Sequence, residues 1–356
     1  MTVKTCGMKG WMEMENAIFE CGEQSIKIPV PVYILASASI VGTKESEGPL
    51  GSLFDVQGGD DLFGAKTWEE AESTLQKEAV TMAVGKAKLN CEDIRYLFAG
   101  DLLGQAMATS FGLSGFRIPL FGLFGACSTC GEALSLGAMT VAGGFASHVV
   151  CVTSSHFASA EKEFRFPLEY GGQRPPSATW TVTGSGAFVL ASTKKDCVAA
   201  IITGVTTGRI VDYGLKDNFN MGCAMAPAAA EVIAQHFSDF NSTPEDYDKI
   251  ITGDLGSVGQ VALFDLLQER GYDIRGKHMD CGMEIYDPAT QNVGAGGSGC
   301  GCAATVLSAY ILAKLKDGVY KRILFVPTGA LLSKTSFNEG MSVPGIAHAL
   351  VLESIA

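Results

Sequence analysis

The chain has no run of about 18 uncharged apolar residues, the length a helix needs to cross a bilayer, so helical membrane spanning is not expected of it. Its opening residues, MTVKTCGMKGWMEMEN, place acids where an export signal requires an apolar core, and export is not expected either. Basic residues are scarce, with 26 Lys and Arg against 38 Asp and Glu, a formal net charge of -12 and a pI near 4.9. Phosphate recognition needs a concentrated basic face, so this balance excludes nucleic acid as a partner. The eleven cysteines are odd in number and irregularly spaced, which fits a reducing compartment rather than a disulfide framework and makes the cytoplasm the expected location. Cys127 and Cys130 form a Cys-x-x-Cys pair, but no second pair at ligand spacing follows, and a metal site is not expected. The glycine-rich stretch GAGGSGCGC lacks the Lys-Ser/Thr ending of a phosphate loop and the dinucleotide fingerprint, so neither cofactor is implied. It reads instead as backbone forced close to a neighbouring element, where side chains would clash.

What is present is a chain of 356 residues, 47% hydrophobic with 43 glycines, long enough for one large core or two fused ones. An internal repeat organises it. CEDIRYLFAGDL at 91–102 and PEDYDKIITGDL at 244–255 share Glu, Asp and a terminal Gly-Asp-Leu, each after a helix-period segment. GGFASHVVCVTSS, from Gly143, likewise matches DGVYKRILFVPTG, from Asp317, each after a small-residue helix opened by a Gly/Cys-rich turn. The chain therefore reads as two copies of one unit with alternating strand and helix patterns.

The first copy predicts strands at 32–38, 96–99, 118–122, 148–154 and 180–192, with helices at about 67–87, from about 104, and at 128–142. The second predicts strands at 198–206, 248–252, 278–285, 321–327 and 346–353, with helices at about 224–238, 258–270 and 301–316. Runs such as VVCVTSS and RILFVP are continuously apolar, as a sheet covered on both faces requires, and the closing strand of each half should pair antiparallel. Phe157 to Ser177 shows no clear periodicity and reads as a long functional loop.

One thiol stands out. In FGLFGACSTCGEALSLGAMTVAGG, an apolar stretch turns at Gly125 and Ala126 into a small-residue helix, which places Cys127 at a helix N-terminus with Ser128 beside it. Unpaired N–H groups and the helix dipole favour a thiolate or a bound anion there, so Cys127 is either a nucleophile, an anion cradle or a buried structural thiol. Among the five histidines, His156 follows a strand end, where open α/β sheets place ligand-contacting groups. His348 is second, and His148, His236 and His278 read as packing or surface residues.

Two stacked βαβαβαββ halves with a cysteine at the third helix of the first resemble the thiolase and ketosynthase superfamily. Within it, the stretch from GLFGACSTC through TSSHFASAEKEFRFPLEYGGQRPPSATWTVTGSGA, with VYILASASIVGTKESEGPLGSLFD and GDLLGQ, resembles the stage V sporulation protein AD family, its dipicolinate-binding member. The resemblance implies an α/β fold of two pseudo-symmetric halves in five layers, α-β-α-β-α, with an N-terminal extension at 1–29 and halves at 30–195 and 196–356. It also implies a homodimer.

In enzymes of that superfamily a histidine, then a histidine or asparagine, sit on second-half strand ends. The corresponding loops here, TGDLGSVG and GAGGSGCGC, contain neither and offer Asp254 and Ser257, then Ser298, Cys300 and Cys302. Where a thiolase has a second cysteine, this chain has Pro327, Thr328 and Gly329. A catalytic role is therefore not expected; the alternative is an acyltransferase or condensing enzyme that uses Cys127, and a third reading is a structural subunit with a vestigial pocket. The resemblance implies binding of dipicolinate, pyridine-2,6-dicarboxylate, for uptake into the developing spore, with membrane proteins of the same transport system as partners and a peripheral place at the spore inner membrane. Burying two carboxylates requires donors in place of water. The expected ligand-binding residues are Cys127, Ser128, His156, Arg174, Asp254 and Arg117, with Arg165 also near and Arg174 as the main carboxylate fork. If the ligand is a calcium chelate, Asp101 and Asp254 are candidates to face the ion, although both also suit turn capping.

Overall fold

The computed structural model describes residues 19–164, 174–195 and 198–355. The first half contains strands β1 (Ser25–Val41), β2 (Tyr96–Gly100), β3 (Leu120–Leu123), β4 (His148–Ser155) and β5 (Gly184–Ala191). Its helices are α1 (Trp68–Lys86), α2 (Met107–Leu113), α3 (Thr129–Ala142) and α4 (Phe157–Phe164). The second half has β6 (Ala200–Thr206), β7 (Lys249–Thr252), β8 (His278–Asp280), β9 (Arg322–Val326) and β10 (Ala349–Glu353). Its helices are α5 (Met221–Phe240), α6 (Gly256–Glu269) and α7 (Cys300–Val306), the last continuing through a π turn at Leu307–Ile311 into Leu312–Lys316.

The strand order is β1-β5-β4-β2-β3 in one half and β6-β10-β9-β7-β8 in the other, the same topology twice. The closing strands pair antiparallel, β5 with β4 and β10 with β9, while the central pairs β2–β4 and β7–β9 are parallel. β1 also pairs antiparallel with β6, so the two halves join edge to edge. Along that seam the register slips between Lys27 and Val32, where Pro29 and Pro31 cannot donate to a ladder and the strand bulges.

Layering follows from the parity of the strands. Val150 and Val152 of β4 pack with Leu75, Ala79 and Ala83 of α1 in an outer cluster. Val149 and Cys151 face the central cluster with Leu134 and Ala138 of α3, Leu307 and Ile311 of the π turn, and Ile323 and Phe325 of β9. Leu324 and Val326 face the third cluster with Ile233 of α5 and Leu263 of α6. Three apolar layers separated by the two halves of the sheet give α-β-α-β-α, and the continuous apolar runs are explained because both faces are covered.

Several expected elements differ. The strand expected at 278–285 stops at Asp280, whose carboxylate accepts from Thr252 Oγ1 and the amides of Leu255 and Gly256, and the chain turns into a helix at Cys281–Glu284. The stretch 180–192 divides into Trp180–Thr181, which pairs with Gly297–Ser298, and β5. β1 begins at Ser25 rather than 32, so part of the expected extension is sheet. The stretch from Phe157, expected as a loop, opens as helix α4, where Phe157, Ala160 and Phe164 keep helical spacing and tertiary anchors hold it: the Phe157 ring stacks on Trp180 at 3.8 Å, and Lys162 Nζ meets Glu69 Oε1 at 2.6 Å. Arg165 lies outside the described residues.

Candidate functional site

The C-terminal ends of β3 and β7 and the turn before α7 converge on Cys127. The residue before it, Ala126, has φ of 52°, a left-handed conformation that costs a non-glycine residue about 1–3 kcal/mol and is held here by the surrounding loop. Ser128 Oγ donates to Gly125 O at 2.7 Å and Thr129 Oγ1 donates to Ala126 O at 2.6 Å, which closes the elbow. Ser128 is thereby turned inward and wholly buried.

Cys127 Sγ lies 3.7 Å from Ser298 Oγ. Ser298 Oγ donates to Asp254 Oδ2 at 2.8 Å, Gly299 N donates to the same oxygen at 2.9 Å, and Thr328 Oγ1 donates to Asp254 Oδ1 at 2.8 Å. Asp254 is thus saturated with donors in a fully buried site, although burial raises it above the ordinary carboxylate value. Burial, and next the charge of Asp254, push the Cys127 thiol well above its usual value. The thiolate expected from the helix N-terminus is reversed: desolvation and a facing carboxylate outweigh a dipole worth about 0.3–1 kcal/mol in exposed settings.

Above the thiol opens a cavity of about 250 Å³. Leu102, Phe124, Ala160, Phe164, Leu331 and Leu332 supply apolar walls, and Met221, Thr181, Ser298 and Glu161 complete much of the rest. Among the described lining residues Glu161 is the charged one, and Arg174 Nη1 meets its Oε1 at 2.9 Å. The guanidinium also donates to Thr179 O and sits 5.2 Å and 5.6 Å from the Trp180 and Phe157 ring centres. Arg174 therefore stands directly behind the cavity wall, held by an acid and two rings.

The other expected residues lie elsewhere. Arg117 is exposed, with a left-handed backbone, ahead of β3, whereas Cys127 follows the other end of that strand. His156 is buried; its Nδ1 accepts from Ala158 N, so Nε2 carries the proton and donates to Asp61 O at 2.7 Å. Burial lowers its pKa, and it serves as a neutral pin beneath α4. His348 Nδ1 accepts from Gly208 N, His236 bridges Thr206 and Tyr247, His278 bridges Thr252 and Gln260, and His148 begins β4 at the end of the sheet away from Cys127. Asp101 accepts from Leu103 N, Thr109 N and Thr109 Oγ1 and acts as a turn cap. Among the described residues no group of three or more His, Cys, Asp or Glu has the arrangement of a metal site.

Thr328 and Glu161 are site residues that sequence reasoning misses. The internal repeat carries a signal for the first: it aligns Thr328 with Ser154, and each hydroxyl donates to a buried carboxylate, of Asp254 and Glu72 respectively. Glu161 has a signal of another kind: Phe157, Ala160 and Phe164 recur at helical spacing, a short period that reading the whole stretch as a loop passes over.

Comparison with solved structures fixes the fold. Human mitochondrial 3-ketoacyl-CoA thiolase, solved with CoA, is 14% identical with a TM-score of 0.57 and covers 93% of this chain and 99% of its own. Cerulenin-bound OleA of Xanthomonas campestris is 14% identical with a TM-score of 0.59, covering 90% and 96%. Stage V sporulation protein AD of Bacillus subtilis (strain 168) is 46% identical over 332 residues, 93% of this chain and 97% of that protein. The family model for stage V sporulation protein AD matches residues 22–353. With that model and that relative both matching nearly end to end, the chain belongs to the stage V sporulation protein AD (SpoVAD) family.

Proposed function

We propose that this chain binds dipicolinate at the Cys127 cavity without turning it over, and serves its uptake into the developing spore. The observation that carries this reading is the substitution around the thiol: a hydroxyl and a carboxylate, Ser298 and Asp254, occupy the surroundings where acyl transfer needs donors to an oxyanion and a base of matched pKa. A thiol held protonated beside an anion is a poor nucleophile. The apolar walls suit a flat ring. Glu161 is neutralised from behind by Arg174, so the wall offers a bare dianion no net positive charge, and this favours the calcium chelate, whose ion offsets the ligand's own charge. No helix among the described residues is long and apolar enough to cross a membrane. In this reading, passage across the spore inner membrane belongs to membrane-embedded partners of the same transport system, and this chain sits there peripherally.

Titration calorimetry tests the reading. Saturable heat with dipicolinate, stronger when calcium is present, is expected; no heat at millimolar ligand in either condition contradicts it. Arg174→Ala leaves the buried Glu161 carboxylate of the wall without its guanidinium and is expected to weaken binding by roughly 30-fold, about 2 kcal/mol for the loss of a charge-assisted pair that shapes the wall. Cys127→Ala removes only a neutral group, and its effect should be smaller.

The homodimer in this reading forms through β3. That strand ends the sheet, and Leu120, Phe121 and the nearby Phe124 are exposed, an apolar edge of the kind that pairs with a second copy. Phe121→Lys is expected to give a monomer by size-exclusion chromatography with light scattering; an unchanged mass contradicts pairing at this edge.

A further inference from the structure

Between Leu102 and Ser147 the sequence carries two charged side chains, Arg117 and Glu132, one of each sign. Arg117 is exposed and makes no ion pair among the described residues. Glu132, in the first turn of α3, has Oε2 buried without a hydrogen-bond donor, and burial raises its pKa. The carboxylate lies over the Cys127 elbow, since a Cβ built on Gly125 would come within 2.7 Å of that same oxygen. A carboxylate oxygen taken out of water without a donor is costly, and a guanidinium is the group that offsets it best. Within one subunit Arg117 does not supply it, because β3 runs between them and Arg117 sits at the end away from the elbow. On α3, Leu136 and Met139 follow Glu132 at i+4 and i+7 and are half-buried, so the carboxylate heads an apolar stripe left partly open to solvent.

A second copy reverses that order of ends. Leu97 N donates to Pro119 O, and the N–H and C=O of one strand residue point to the same side. Pro119, Phe121 and Leu123 thus turn inward to β2, while Leu120, Gly122 and Phe124 hold their backbone groups on the open edge. Pro119, with no N–H, falls on the inward parity and leaves that edge complete, and no charge between Leu120 and Phe124 guards it. In an antiparallel pair edge residues oppose edge residues, so a twofold axis that uses this edge passes through Phe121 or Gly122. Arg117 lies four residues before the first and five before the second. It therefore comes opposite Gly125 of the partner subunit or Cys127 of the partner subunit, at the elbow that Glu132 covers.

We propose that Arg117 of each subunit crosses the β3 seam to pair with Glu132 of the other, so that each Cys127 elbow is completed by its partner. The twofold makes the contact twice, one cation and one anion from each chain. Phe124 links it to the cavity, because it lies on the open edge, is exposed there, and also lines the cavity wall. Pairing covers its outer side, and the planar fork of Arg117 fixes the turn at Gly125 that follows it. Arg117 and Glu132 are thus positioning residues for the cavity. The proposal rests on the homodimer reading above and adds the ion pair that sets its register.

Charge exchange tests it on the full chain by analytical ultracentrifugation. Arg117→Glu alone, or Glu132→Arg alone, sets like charges together twice in a homodimer, and each is expected to raise the dimer dissociation constant about a hundredfold. Mixed one to one, the two variants form a heterodimer with one original contact and one exchanged contact. Its dissociation constant is expected to return to within about threefold of the wild-type value. A mixture that sediments as the sum of its two components overturns the pair. Should Glu132→Arg fold poorly, Arg117→Ala and Glu132→Gln decide the matter: each is expected to weaken the dimer about tenfold, and the double variant no further. Additive losses of about a hundredfold in that double variant overturn the pair. The homodimer reading fails separately, by a wild-type protein that sediments as a monomer at all concentrations or a dimer that survives Phe121→Lys. A dimer lost with Phe121→Lys but unchanged in Arg117→Glu keeps that reading and overturns the ion pair.

Discussion

Asp254→Asn is expected to speed alkylation of Cys127 by iodoacetamide about tenfold at pH 8. The thiolate is the reacting species, and each unit by which the thiol pKa falls multiplies its population by ten. Two effects raise that pKa, burial and then the charge of Asp254, and the substitution removes the second while keeping size and an acceptor for Thr328. Cys127, though buried, lines the cavity, through which a small reagent reaches it, whereas Cys130, three residues on, lines no cavity wall there and is raised by desolvation with no carboxylate among the causes. Labelling resolved by peptide mass should therefore change at Cys127 and stay constant at Cys130. Equal rates at Cys127 in the two proteins would show that the carboxylate does not restrain the thiol.

That restraint is also where sequence reading runs short. The internal repeat is enough to match β2 with β7 and β4 with β9 as equivalent strands of the two halves, because a strand buried on both faces leaves an apolar run that chance rarely duplicates. The absence of histidine and asparagine from the two second-half loops is likewise legible, and Asp254 and Ser298 stand there. The sign of the Cys127 shift is not. A helix N-terminus is visible in a sequence; the burial of a thiol and the approach of an acid 127 positions away belong to tertiary structure. Arg117 goes astray for a related reason: its charge is visible, but which end of β3 it precedes relative to the thiol becomes meaningful only with the strand direction. Helix α4 is missed although Phe157, Ala160 and Phe164 keep helical spacing, because that period lasts two turns only and runs on into charged and proline-rich sequence.

Gly301→Ala is expected to destabilise the fold by roughly 3 kcal/mol, against the helix propensity of alanine, which alone would favour the change by about 1 kcal/mol. Gly301 lies in the first turn of α7, in the central layer, and a Cβ there would come within 2.4 Å of Gly184 O and 2.7 Å of Ser155 Oγ. Gly184 is paired with both β1 and β4, so its carbonyl cannot yield, and α7 must shift instead. Such a shift carries Ser298 and Gly299 away from Asp254 and damages fold and site together. Gly85, near the end of α1, is the opposite case, since a Cβ added there would meet nothing within 4 Å. Gly85→Ala should raise stability by about 0.4–1 kcal/mol. Denaturant unfolding of both variants checks the pair, and a neutral Gly301→Ala would mean that α7 has room to move.

The most direct test of binding without turnover is intact mass spectrometry of the wild-type protein after incubation with acyl-CoA. A thiol held protonated beside Asp254, with Ser298 as its hydroxyl neighbour, predicts an unchanged mass. An added acyl group that maps to Cys127 would contradict the account.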